Sequence, residues 1–114
     1  MRKIERDMNR AIRAGRNFSN SNTTVQTTTF FNSQDVYCEE SKVFLHGNHI
    51  ATVTKNSIIL FDGGWQSNTT KSRLNALLDE FSYGMRVFQK NWEWFVGYKN
   101  VKEDFVNGIE LAID

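Results

Sequence analysis

Proline is absent from all 114 residues, so no rigid proline-rich linker divides the chain. Cysteine occurs once, as Cys38, which excludes an intramolecular disulfide and points to a reducing cytoplasm. No apolar run approaches the roughly 20 residues of a membrane-spanning helix, and no signal-peptide pattern opens the sequence, so no membrane partner is expected. Internal repeats are missing too, and the length suits a single domain over 1–114. Metal-ligand spacing is equally sparse. His46 and His49 sit close together, but no Cys or carboxylate stands at the distance of a known site, so both read as turn histidines. Cys38 and His46 lack an orienting third group, which makes a structural thiol the expectation. No metal, no cofactor and no enzymatic activity are expected.

What is present is ordinary for a globular protein in its 39% hydrophobic and 24% charged content. Fifteen aromatics, nine of them Phe, can supply much of a core. The net charge of +1 hides an asymmetry. Residues 1–16 carry six basic side chains (Arg6, Arg10 and Arg13 among them) against Glu5 and Asp7, whereas the remainder holds eight basic and eleven acidic ones. Such a basic head attracts an anionic partner, or simply forms a solvated helix face.

Within that head, Ile4, Met8, Ala11 and Ile12 form the stripe of a short amphipathic helix that Gly15 can stop. It reads as a detachable segment, contributing more to association than to folding. Residues 17–22 are rich in Asn and Ser and read as loop. The core is expected over 20–98. Thr23 to Phe31 is β-branched and aromatic, hence a strand, and residues 32–35 turn out of it. Residues 42–46 and 50–54 flank Gly47 as a hairpin, and a second tight turn leads into the apolar strand 57–61. Gly63 and Gly64 then open the stretch around which the chain is organised. Asn68, Thr69 or Thr70 can each cap a helix over 69–82, with Leu74, Leu77, Leu78 and Phe81 on one face and Gly84 as its stop. Beyond it, residues 85–89 and 92–98 read as a hairpin around Lys90 and Asn91, with Trp92 and Trp94 on one aromatic face. The tail is open between a helix and an extended segment. The fold class is therefore α+β: an antiparallel sheet of five or six strands, a central amphipathic helix on one face, and a short basic N-terminal helix.

Several of these stretches resemble a group of small tailed-bacteriophage proteins. The likeness lies in Asn22-Thr23-x-Val25, in Val43-x-Leu45-His46-Gly47-x-x-Ile50-Ala51, and in Gly64-Trp65-x-Ser67-x-Thr69-Thr70-Lys71-Ser72-Arg73-Leu74-Asn75-Ala76. Val87-Phe88-Gln89-Lys90 followed by Trp94-Phe95-Val96 is similar as well. The resemblance covers residues 20–98 and implies a phage gene product acting in the bacterial host cytoplasm; no catalytic residues carry over from it.

The best candidate site is Thr69, Thr70, Lys71, Ser72 and Arg73 at the helix start. Free amides and the positive end of the helix dipole meet hydroxyls and two cations there, an arrangement that suits phosphate. It is not a Walker loop, because the preceding glycine is Gly64, well away from Lys71. Two functions stand open. One is a non-enzymatic phage accessory protein binding nucleic acid or a nucleotide through these five residues, aided by Arg6, Arg10 and Arg13. The other is a host-takeover or anti-defence inhibitor that covers a bacterial host protein, anchored by Trp92 or Trp94. Either aromatic can instead stack on a base, or be core.

Overall fold

The computed structural model describes residues 1–98 and 100–113. The chain runs α1 (Lys3–Arg13), β1 (Phe18–Asn20), β2 (Thr23–Phe31), β3 (Tyr37–Leu45), β4 (Asn48–Val53), β5 (Ser57–Leu60), α2 (Asn68–Phe81), β6 (Arg86–Lys90), β7 (Glu93–Tyr98), β8 (Val101–Asp104) and β9 (Ile109–Ala112). Six strands form one sheet in the order β1-β2-β3-β4-β5-β9, and β6-β7-β8 form a second. Every pairing is antiparallel. The α+β architecture with two helices is as the periodicities indicate. The extra sheet is new: the β6–β7 hairpin recruits β8 rather than joining the main sheet.

Side-chain alternation sets the faces of the large sheet. Val25, Val43, Ala51, Leu60 and Ile109 are successive cross-strand partners, so they share a face. That face meets the helices, and all but Ile109 are buried. A bulge between Val43 and Phe44 shifts the register of β3 against β4. Ile50 and Ala51 are consequently both buried instead of alternating.

Helix α2 buries more than one stripe because it is held between neighbours. Leu74, Leu77 and Leu78 are fully buried. The helix contacts α1, β4 and β6. Asn75 fastens the small sheet to it, donating to the Val87 carbonyl at 2.9 Å and accepting from the Val87 amide at 2.7 Å. The N-cap is Ser67, whose Oγ accepts from the Thr70 amide at 3.1 Å. Neither Asn68 nor the threonines cap it, since all three already lie inside the helix. The C-terminal end also differs from expectation. Ser82 is extended, and its hydroxyl and amide both donate to the Leu78 carbonyl. Gly84, at φ +93°, sits two residues further on, where a Cβ would come within 2.6 Å of the Tyr98 ring.

Two further expectations are corrected, and one open alternative is decided. Residues 18–20 form an edge strand rather than loop. The tail is extended, as β8 and β9. Most consequential, the basic head packs into the core instead of standing apart from it. Met8 and Ile12 belong to the same apolar cluster as Leu74, Leu77 and Val43. Asn9 Nδ2 donates to the Ala76 carbonyl at 3.1 Å, tying α1 to α2. Gly15, at φ +66°, follows the helix as expected.

Candidate functional site

The five residues at the start of α2 do not converge on one accessible concavity. Thr70 is buried, and its hydroxyl donates to the Trp65 carbonyl at 3.2 Å and meets Ser67 Oγ at 2.9 Å. Arg73 is only 3% exposed. Its guanidinium donates from Nε to Thr23 Oγ1 at 3.0 Å, from Nη1 to Glu5 Oε2 at 2.9 Å, and from Nη2 to Asn22 Oδ1 at 3.2 Å. Ser72 Oγ donates to the same Glu5 oxygen at 2.6 Å. Glu5, itself 2% exposed, also accepts from the Arg2 amide at 3.2 Å. The crowding of hydroxyl and cation therefore does serve an anion, but that anion is a carboxylate of the chain's own first helix. Thr69 and Lys71 alone are left facing outward, half-buried.

Electrostatics agree with this arrangement. Burial pushes the Glu5 carboxyl up, but hydrogen bonds from Ser72, the Arg2 amide and Arg73, with the Arg73 charge, outweigh it and hold the group below its ordinary value. A buried guanidinium with no counter-charge would be far costlier than the pair. The link between Glu5 and Arg73 spans 68 positions, so no local motif announces it.

The remaining candidates separate. Arg6 and Arg10 lie on the exposed side of α1. Arg13 is committed: its Nε donates to the Glu80 carboxylate and its Nη2 to the Glu80 carbonyl at 3.0 Å, and its guanidinium lies 5.0 Å from the Phe81 ring centroid. Trp94 is core, 5% exposed and edge-on to Phe105 with centroids 5.5 Å apart. Lys71 Nζ rests 5.9 Å from the Trp94 centroid. His49 is wedged between Phe44 and Phe61, with centroids 5.5 and 4.5 Å away, and its Nε2 lies 2.8 Å from Thr52 Oγ1. His46 occupies the β3–β4 turn at φ +52°. Among the described residues no cluster of His, Cys, Asp and Glu could hold a metal ion.

Trp92 is the opposite of Trp94. It is 90% exposed at the tip of the β6–β7 hairpin. Lys90 and Glu93 are the last paired residues, so Asn91 and Trp92 make a two-residue turn. Their φ values of +53° and +66° identify it as type I′, whose second position favours glycine. The alternation reading placed Trp92 on the strand with Trp94; the turn is displaced by one residue, which swings Trp92 off the sheet. An open concavity beside it is lined by Lys71, Gln89, Asn91 and Trp92. The β2–β3 hairpin also presents exposed apolar side chains, Phe30, Phe31, Val36 and Tyr37, at its far end. Sequence reading passed over that cluster because a Thr- and Phe-rich run looks like any half-buried strand.

Comparison with known proteins yields one family. The pattern of the Kyanoviridae Gp96 protein family matches residues 1–112. No curated protein and no solved structure matches the chain.

Proposed function

From the premise that this chain belongs to the Kyanoviridae Gp96 family of phage proteins, we propose that it is a non-enzymatic accessory protein that acts by covering the surface of a bacterial host protein. The observation that carries this reading is Trp92. A bulky aromatic in a left-handed conformation, 90% exposed, gains nothing for the fold. Strain of this kind costs on the order of 1–3 kcal/mol and clusters at functional positions. A rigid aromatic on a hairpin tip is also the type of side chain that anchors interfaces. Host takeover or suppression of a host defence is the role such a binder would have in the host cytoplasm, its working compartment in this reading. No helix of the described residues is long and apolar enough to cross a membrane.

A phosphate-bearing ligand, nucleic acid or nucleotide, is the second reading. It is favoured by the concavity that Lys71 shares with Trp92, where a base could stack and a phosphate meet the ammonium. It no longer has Thr70, Ser72 or Arg73 to draw on.

The test is capture by tagged full-length chain from phage-infected cells, with and without nuclease, alongside Trp92→Gly. Glycine at this position completes the Asn-Gly pair that type I′ turns favour, so the melting temperature is expected to hold or rise. Capture is expected to fall at least about 30-fold, the loss of a hot spot worth about 2 kcal/mol or more. Undiminished, nuclease-resistant capture by Trp92→Gly would remove the anchor and this reading with it.

A further inference from the structure

The last bridge from β2 to β1 is at Val25, and the last from β3 to β4 is at Ser41. Beyond both, Thr28↔Glu40, Thr29↔Glu39, Phe30↔Cys38 and Phe31↔Tyr37 continue as a two-stranded arm with neither edge paired to another strand among the described residues. Four pairs extend it by about 13 Å at 3.4 Å per residue. Open edges and exposed aromatics together are a liability unless something covers them.

The arm stands over a groove of about 620 Å³. Tyr37, Glu39, Ser41 and Val53 form its floor, on the same sheet face that the helices cover elsewhere. Its lining also takes in the C-terminal ends of the two helices, Ile12 and Arg13 of α1 and Glu80 and Phe81 of α2. Phe31 and Tyr37, edge-to-face with centroids 5.6 Å apart, lie on that face at the arm's tip.

We propose that the arm and the groove form a two-fold interface with a second copy of this chain, the aromatic tip of each copy seated in the groove of the other. Charge selects this occupant. The arm from 28 to 40 holds no cation, and its tip carries Asp35; Glu39 lies on the groove floor of its own copy and Glu40 lies 3.9 Å from Lys42. Lys55 on the groove rim is exposed and has no ion-pair partner among the described residues, while Arg13 is already held by Glu80. Asp35 at the tip and Lys55 on the rim occur on the same chain, so one two-fold axis brings each beside the other twice. The net charge of +1 sets up no long-range repulsion between copies. Area is sufficient as well. Phe31 and Tyr37 are 69% and 61% exposed, so the four rings of two copies bring roughly 400–650 Å² toward the roughly 1,200 Å² at which specific interfaces begin, and the groove walls supply the rest.

Sedimentation and light scattering of the full chain at about 100 μM should report twice the 13.3 kDa chain mass. Phe31→Asp with Tyr37→Asp should return the chain to monomer. Asp35→Lys alone and Lys55→Asp alone should each weaken the dimer about tenfold, and the two together should restore it. All these positions are exposed, and an unchanged melting transition of the monomeric variants would confirm that folding is not what was lost. A wild-type monomer at that concentration, or a dimer indifferent to the arm and charge variants, would overturn the proposal.

Discussion

Glu5 and Arg73 show what a single residue can mean in this fold. Each is buried, each is charged, and each makes the other tolerable. Glu5→Gln leaves the guanidinium without a counter-charge and is expected to destabilise the protein by about 3–5 kcal/mol. Replacing both by Met should recover most of that loss, because no charge is then stranded. Acid titration gives an independent check. The folded Glu5 carboxyl lies below its ordinary value of 4.5, so its contribution is complete above that pH and vanishes as pH falls through the folded value. A second decline begins nearer neutrality. Burial, against the opposing Ala51 carbonyl bond, holds His49 below its ordinary 6.5, so the unfolded chain takes up that proton first as pH drops. Melting temperatures between about pH 2 and 7 should show both declines in the wild type, and in Glu5→Gln the His49 decline should persist while the acid decline shrinks to what other carboxylates such as Asp7 contribute.

At the scale of elements, removing residues 1–16 should abolish cooperative unfolding rather than leave a trimmed domain. The deletion takes Met8, Ala11 and Ile12 out of the core and Glu5 away from Arg73 at once. Losing a buried side chain costs about 2–5 kcal/mol for Met or Ile alone, against a total stability of about 5–15 kcal/mol. Calorimetry of the truncated chain checks this, and a sharp transition near the wild-type temperature would contradict it. The same helix marks where sequence reasoning succeeds and stops. The stripe of Met8, Ala11 and Ile12 reveals a helix with a buried face, as Leu74, Leu77 and Leu78 do for α2, because burial repeats with the helical period. Periodicity says nothing about which element covers the stripe, so α1 read as separable. The β6–β7 hairpin was legible as a pair for the same reason, while its membership of a second sheet was not. Strand alternation identifies faces, whereas β8 joins through backbone bonds that any side chain permits. Ser67 as cap and Trp92 as turn residue were missed by one or two positions each, the scale on which helix and turn boundaries blur in sequence.

For the molecule as a whole, the question is whether its partner is met by charge or by apolar surface. Helix α1 keeps Arg6 and Arg10 exposed, but Arg73, the cation best placed for a phosphate, is spent internally. A Lys71→Gln, Arg73→Gln double variant would therefore confound binding with unfolding, since the second change strands Glu5. Lys71→Gln alone is clean, because Lys71 is half-buried and, among the described residues, its ammonium leans on the Trp94 ring and joins no ion pair. If the second reading holds, this variant should flatten the salt dependence of polyanion binding by about one unit of slope, one phosphate contact having been lost. If Trp92 carries the interaction, capture of the partner should change little between about 50 and 200 mM salt and be indifferent to Lys71→Gln, because burying an aromatic ring releases no counterions. A steep salt dependence that Lys71→Gln relieves would turn the choice toward nucleic acid, and would make Trp92 a stacking platform beside a phosphate rather than an anchor in a protein pocket.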